Sequence, residues 1–64
     1  MTPIKIKQHM QSRAWGPSAL ADALAEHGLG GTRENTRRLI RRWLTGQRSP
    51  GPQYAAALKT IFGD

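Results

Sequence analysis

Between residues 33 and 48 the chain places Arg33, Arg37, Arg38, Arg41, Arg42 and Arg48, six of its ten basic residues, against one acid, Glu34. All six are arginine. A guanidinium presents its donors in a planar fork that meets phosphate oxygens, or the O6/N7 edge of guanine, through two parallel hydrogen bonds. A helix carrying this much unneutralised charge is costly unless a polyanion covers it. On a wheel at about 100° per residue with Arg33 at zero, Arg37, Arg41, Arg38 and Arg42 fall between about 40° and 180°, and Leu39, Trp43, Ile40 and Leu44 between about 240° and 20°. One side can therefore dock on a domain while the other enters a groove. The major groove of B-DNA, about 12 Å wide, admits one helix. The competing reading is a solvated charged face. Such faces usually mix signs, with Glu four residues ahead of Lys or Arg. Only Glu34–Arg38 makes that pair here, whereas Arg37–Arg41 and Arg38–Arg42 are like-charged.

Roles divide along this stretch. Arg33, Arg37, Arg38 and Arg41 are candidates for the groove, some reading guanine and others meeting phosphate, because half or more of protein–DNA hydrogen bonds go to the backbone. Asn35 either pairs with adenine or caps the helix, and Thr36 is counted with the same surface. Arg42, Gln47 and Arg48 suit phosphate. Thr32 is a cap whose neighbouring free N–H groups could also meet a phosphate. Ser18 is a weaker phosphate candidate, and Lys5, Lys7 and Arg13 add diffuse attraction. Trp43 lies within the apolar stripe and belongs to the core rather than to a base-stacking platform. Trp15 seals the core edge, and Tyr54 packs with its hydroxyl exposed. His9 and His27 are expected at the surface. With Asp22 and Glu26 they show no paired spacing for a metal. No Gly-rich phosphate loop, nucleophile–base pair or ligand cluster is visible, so neither an enzyme nor a cofactor is expected.

The elements that must position these groups are punctuated by proline and glycine. Thr2-Pro3, Gly16-Pro17 and Gly51-Pro52 each set a capping residue before a proline, which suits the first helical position because its missing N–H would have no partner there. Gly28, Gly46 and Gly63 stand where helices would end in a left-handed residue. These signals predict four helices at about 3–14, 17–27, 33–45 and 52–62. The apolar stripes agree: Ile6, Met10 and Ala14; Leu20, Ala21, Leu24 and Ala25; Leu39, Ile40, Trp43 and Leu44; Tyr54, Leu58, Ile61 and Phe62. The expected fold is all-α, one domain over residues 1–64, with a four-residue glycine turn joining the second and third helices.

Composition bounds the rest. Sixty-four residues with a net charge of +6 and no cysteine leave a small core without disulfide or thiolate metal staples. A pI near 11.3 fits a nucleic-acid or anionic-membrane partner. No apolar run approaches the roughly 20 residues that span a bilayer. The first ten residues lack the apolar region of a secretory signal, which predicts a cytoplasmic location.

The second helix, glycine turn and basic third helix form a helix-turn-helix pattern. From Ile40 to Pro50 (IRRWLTGQRSP) the chain resembles the phage-repressor helix-turn-helix family of lambda repressor, Cro and Xre-like proteins. The recognition helix of that family typically ends with an aliphatic residue, two variable residues and an aromatic, then Gly and Pro spaced like Gly46 and Pro50. The next helix often reads like residues 54–63, and Leu20-Ala21 with Leu24 resembles the family's Leu-Ala-x-x-Leu. The resemblance covers about residues 17–63. It implies a small four- or five-helix domain of a bacterial or phage transcription regulator, often a homodimer on a palindromic operator. The start of the third helix would then face bases, and the Gly46–Pro50 loop would hold phosphate. Three departures stand out. The segment from Leu20 to Ile40 is about two helical turns longer than usual, read as both helices extended towards the turn. Leu44 replaces a common Glu. Pro17 and Ser18 stand where a phosphate-contacting Gln often sits. Sequence-specific binding of double-stranded DNA is the leading expectation. The alternatives are a protein-interaction or anti-repressor module docking its basic helix on an acidic partner, and binding to RNA or an anionic membrane.

Overall fold

The computed structural model describes residues 2–63, which form α1 (Pro3–Ser12), α2 (Pro17–Glu26), α3 (Arg33–Leu44) and α4 (Pro52–Phe62), with no strand among the described residues. Every helix starts where the punctuation predicts. The hydroxyls of Thr2 and Thr32 accept from the Lys5 N–H at 3.4 Å and the Asn35 N–H at 3.2 Å. Gly16 and Gly51 cap α2 and α4 without side chains, and Pro17 and Pro52 follow with φ already suited to a helix.

The first three helices end one or two residues earlier than expected. Each closes with the same pair of backbone bonds. In α2, Gly28 N–H donates to Ala25 O at 2.9 Å and Leu29 N–H to Leu24 O at 3.1 Å. In α3, Gly46 donates to Trp43 O at 3.1 Å and Gln47 to Arg42 O at 2.9 Å. This closure needs a left-handed residue, which Gly28 and Gly46 supply at φ of 72° and 78°. In α1 the same position falls on Ala14, at φ 56°, with Trp15 N–H donating to Met10 O at 2.8 Å. Ala14 is therefore outside the helix and exposed rather than part of its apolar stripe. Ala25 is also exposed, while Ala57 takes a core place.

Ile6, Met10, Leu20, Ala21, Leu24, Ile40, Trp43, Ala57, Leu58 and Phe62 form one core, with Trp15, Leu29, Leu39, Leu44, Tyr54 and Ile61 packed around it half-buried. At roughly 1.5–3 kcal/mol for each large apolar side chain fully buried, this cluster supplies the main favourable term in a chain with no covalent cross-link. The closest helix pair is α2 with α3, followed by α1 with α3, whereas α3 and α4 have few close backbone approaches. Trp43 and Tyr54 bridge that last pair edge to face, with ring centroids 5.2 Å apart.

Opposite this bridge the ends of α1 and α4 are sealed by a polar-aromatic seam. His9 stacks on Phe62 at 4.8 Å, Trp15 tilts against the same ring at 5.9 Å, and Arg13 donates to Phe62 O at 3.2 Å. A guanidinium at the C-terminal end of α4 meets the negative pole of that helix. Arg13 is thus engaged internally, and His9 is half-buried rather than a surface residue.

Candidate nucleic-acid interface

α3 owes its position to two anchors. Along its length, Ile40 and Trp43 are fully buried and hold it on the core. At its start, Thr36 is buried and its hydroxyl donates towards Gly30 O at 2.8 Å, with Thr32 O at 2.9 Å. Gly30 has φ 95°, and a Cβ there would collide with the Thr36 side chain. The Gly30–Thr36 contact therefore needs glycine on two counts. It locks the link to the first turn of α3. That link is six residues, 27–32, rather than a four-residue turn, because His27 leaves α2 as its C-cap and Thr32 precedes α3 as its N-cap.

Thr36 is corrected accordingly: it faces the interior and is removed from the candidate surface. The wheel carried the signal, since Thr36 falls at about 300°, between Trp43 at about 280° and Ile40 at about 340°. Its polar type hid its place in the apolar stripe.

The remaining sequence-predicted residues are on the outside of α3 or beside it. Thr32, Arg33, Asn35, Arg38, Arg41, Arg42, Gln47 and Arg48 are exposed, and Arg37 is half-buried. Their electrostatic states differ. Arg33 is bound to Asp22 of α2 at 2.7 Å, and Arg38 reaches Glu34 at 3.4 Å. Both pairs are solvated, and such pairs contribute only about 0–1 kcal/mol. Arg37, Arg41, Arg42 and Arg48 have no acidic partner among the described residues. Arg37 is under further tension because its Nε is buried without a hydrogen-bond partner among those residues.

These side chains form two neighbouring concavities rather than one uniform face. Arg37, Arg38 and Arg41, with Glu34, line a recess of about 120 Å³, three cations against one carboxylate. On the other side, Asn35, Arg38 and Arg42 line a groove of about 350 Å³ that also takes in Leu39 and Tyr54. Arg38 belongs to both. Leu39 and Tyr54 also line a further cavity of about 320 Å³, with Arg48 and Ser49, so the groove runs on along the α3–α4 seam. Sequence reasoning placed Leu39 in the core stripe and Tyr54 in the packing with its hydroxyl exposed, and missed both as lining of this groove. Leu39, at about 240° on the wheel, lies next to Asn35 at about 200° and Arg42 at about 180°. Its edge position was therefore readable, but the approach of Tyr54 from α4 was not. Gln47 and Thr32 stand at opposite ends of α3, and Ser18 sits half-buried in the first turn of α2.

Among the described residues no three His, Cys, Asp or Glu side chains come together as a metal site, and no helix is long and apolar enough to cross a membrane. No protein-family model, curated protein or solved structure matches the chain.

Proposed function

We propose that this protein binds double-stranded DNA with sequence preference, as a transcription regulator would, by laying the exposed side of α3 in the major groove. The observation that carries this reading is the division of α3 itself. Ile40 and Trp43 are buried on one side, while Arg37, Arg41 and Arg42 stand on the other with no acidic partner among the described residues. A twelve-residue helix is about 18 Å long, enough to follow the groove for several base pairs. Arg41 and Arg37, at the three-cation recess, are assigned to guanine edges or to phosphates flanking them. Arg42, Gln47 and Arg48 are assigned to phosphate, and the exposed side chain of Asn35 to an adenine edge. The role is binding rather than catalysis.

The pairing of α2 with α3 supports a helix-turn-helix arrangement, with one departure: the six-residue link exceeds the three or four residues usual for that motif. Readers of this motif commonly act as two-fold dimers on half-sites about one helical turn apart, and we extend the proposal to a homodimer on that ground alone.

Fluorescence anisotropy with labelled duplexes tests the reading. Log affinity should fall with log salt at about −0.9 per neutralised phosphate, so four phosphate contacts predict a slope of about −4. Affinity that does not change between about 50 and 200 mM salt would remove the electrostatic basis of the proposal.

A further inference from the structure

We infer that the groove along the α3–α4 seam is a docking site for an acidic peptide segment of a protein partner, one that carries a large apolar side chain. Two adjoining cavities share Leu39 and Tyr54 as their common lining, and Arg38, Arg42 and Arg48 stand around them. Among the described residues, no acidic side chain lines either cavity. The seam is open because α3 and α4 have few close backbone approaches, while the Trp43–Tyr54 contact braces the floor. A phosphate backbone gains nothing from Leu39. An apolar side chain does, and carboxylates on either side of it would meet the arginines through paired hydrogen bonds. A second copy of this chain fits poorly as occupant. It brings a net charge of +6 and only four acids.

The groove stands independently of the DNA reading, but one consequence rests on it. Asn35, Arg42 and Arg48 line the groove and are shared with the proposed DNA face, so peptide and duplex should compete. An acidic partner would then release the protein from DNA.

The test uses the full chain and a fluorescein-labelled peptide of Asp and Glu around a central Phe, with a control in which Ala replaces that Phe. Binding is followed by anisotropy and mapped by amide chemical-shift changes. The Phe peptide should bind roughly tenfold tighter than the Ala peptide. Shifts should concentrate at residues 38–42, 48–49 and 54. Arg48→Glu, on an exposed loop, should weaken binding by roughly tenfold, whereas Lys59→Glu, an equal charge change on α4 outside the groove, should alter it by about twofold or less. Leu39→Ser should remove the preference for Phe. Circular dichroism of that variant, with the exposed Arg48→Glu change as the second arm, separates loss of the groove from loss of the fold. Equal affinity for the Phe and Ala peptides, or equal losses from Arg48→Glu and Lys59→Glu, would overturn the inference and reduce the site to diffuse charge. So would tighter occupation of the same residues by an unstructured single-stranded oligonucleotide. Peptide binding without any duplex binding would reject the DNA reading and leave the groove standing. Duplex binding without a preference for Phe would do the reverse.

Discussion

Thr36 and Gly30 show how one side chain can set the orientation of the arginine-bearing helix. The Thr36 hydroxyl bonds the carbonyls of Gly30 and Thr32 from inside the core. Replacing it with Val keeps the shape and strands the Gly30 carbonyl, while Thr32 O keeps the Thr36 N–H at 3.0 Å, so Thr36→Val should cost about 1 kcal/mol. Gly30→Ala should cost more, about 2 kcal/mol or above, because a Cβ both overlaps Thr36 and disfavours the φ of 95°. Urea unfolding of the two variants tests the order as well as the size. At Ala14 the sign reverses. An L-residue at φ 56° is strained, and the neighbouring helices use glycine for the same closure. Ala14→Gly should raise stability by about 1 kcal/mol on the same measurement. Gain from a glycine substitution is uncommon, so a loss of stability would contradict strain at Ala14.

At the scale of the helix, the arginines of α3 are unequal. Arg33 is held by Asp22 across the α2–α3 contact, so Asp22→Asn should free it. Duplex affinity is expected to rise a few-fold and the salt slope to steepen by about 0.9, with stability changed by less than about 1 kcal/mol. Titrations at several salt concentrations measure both. Arg41→Ala should cost about 1–3 kcal/mol of binding and relax preference at one base pair if that side chain meets a base, whereas Arg48→Ala should weaken all duplexes alike. Equal losses from Arg41→Ala on preferred and random duplexes would make α3 a phosphate binder only.

The helices also show what a sequence can and cannot carry. Their starts were legible because Thr2, Thr32 and the Gly-Pro pairs are local chemistry. The end of α1 was not, because Ala14 gives no sign that it will adopt a glycine conformation. Trp43 in the core followed from periodicity. The burial of Thr36 had the same periodic signal but the opposite chemical type. The Arg33–Asp22 pair and the Tyr54 wall of the groove depend on how helices meet, which spacing along one helix does not encode.

For the molecule as a whole, a charge of +6 on sixty-four residues is concentrated on one helix and the loop after it. The globule measures 24 × 24 × 23 Å, so α3, about 18 Å long, spans most of one side. That geometry separates attraction, which any polyanion would share, from preference, which requires side chains held in register against base edges. The central claim is therefore preference. It is tested most directly by selecting bound duplexes from a random library at about physiological salt and sequencing them. The proposal predicts enrichment of a short guanine-containing site, palindromic if the protein binds as a dimer, with the enriched guanines altered by Arg41→Ala. A library that binds but emerges with no enriched sequence would contradict it.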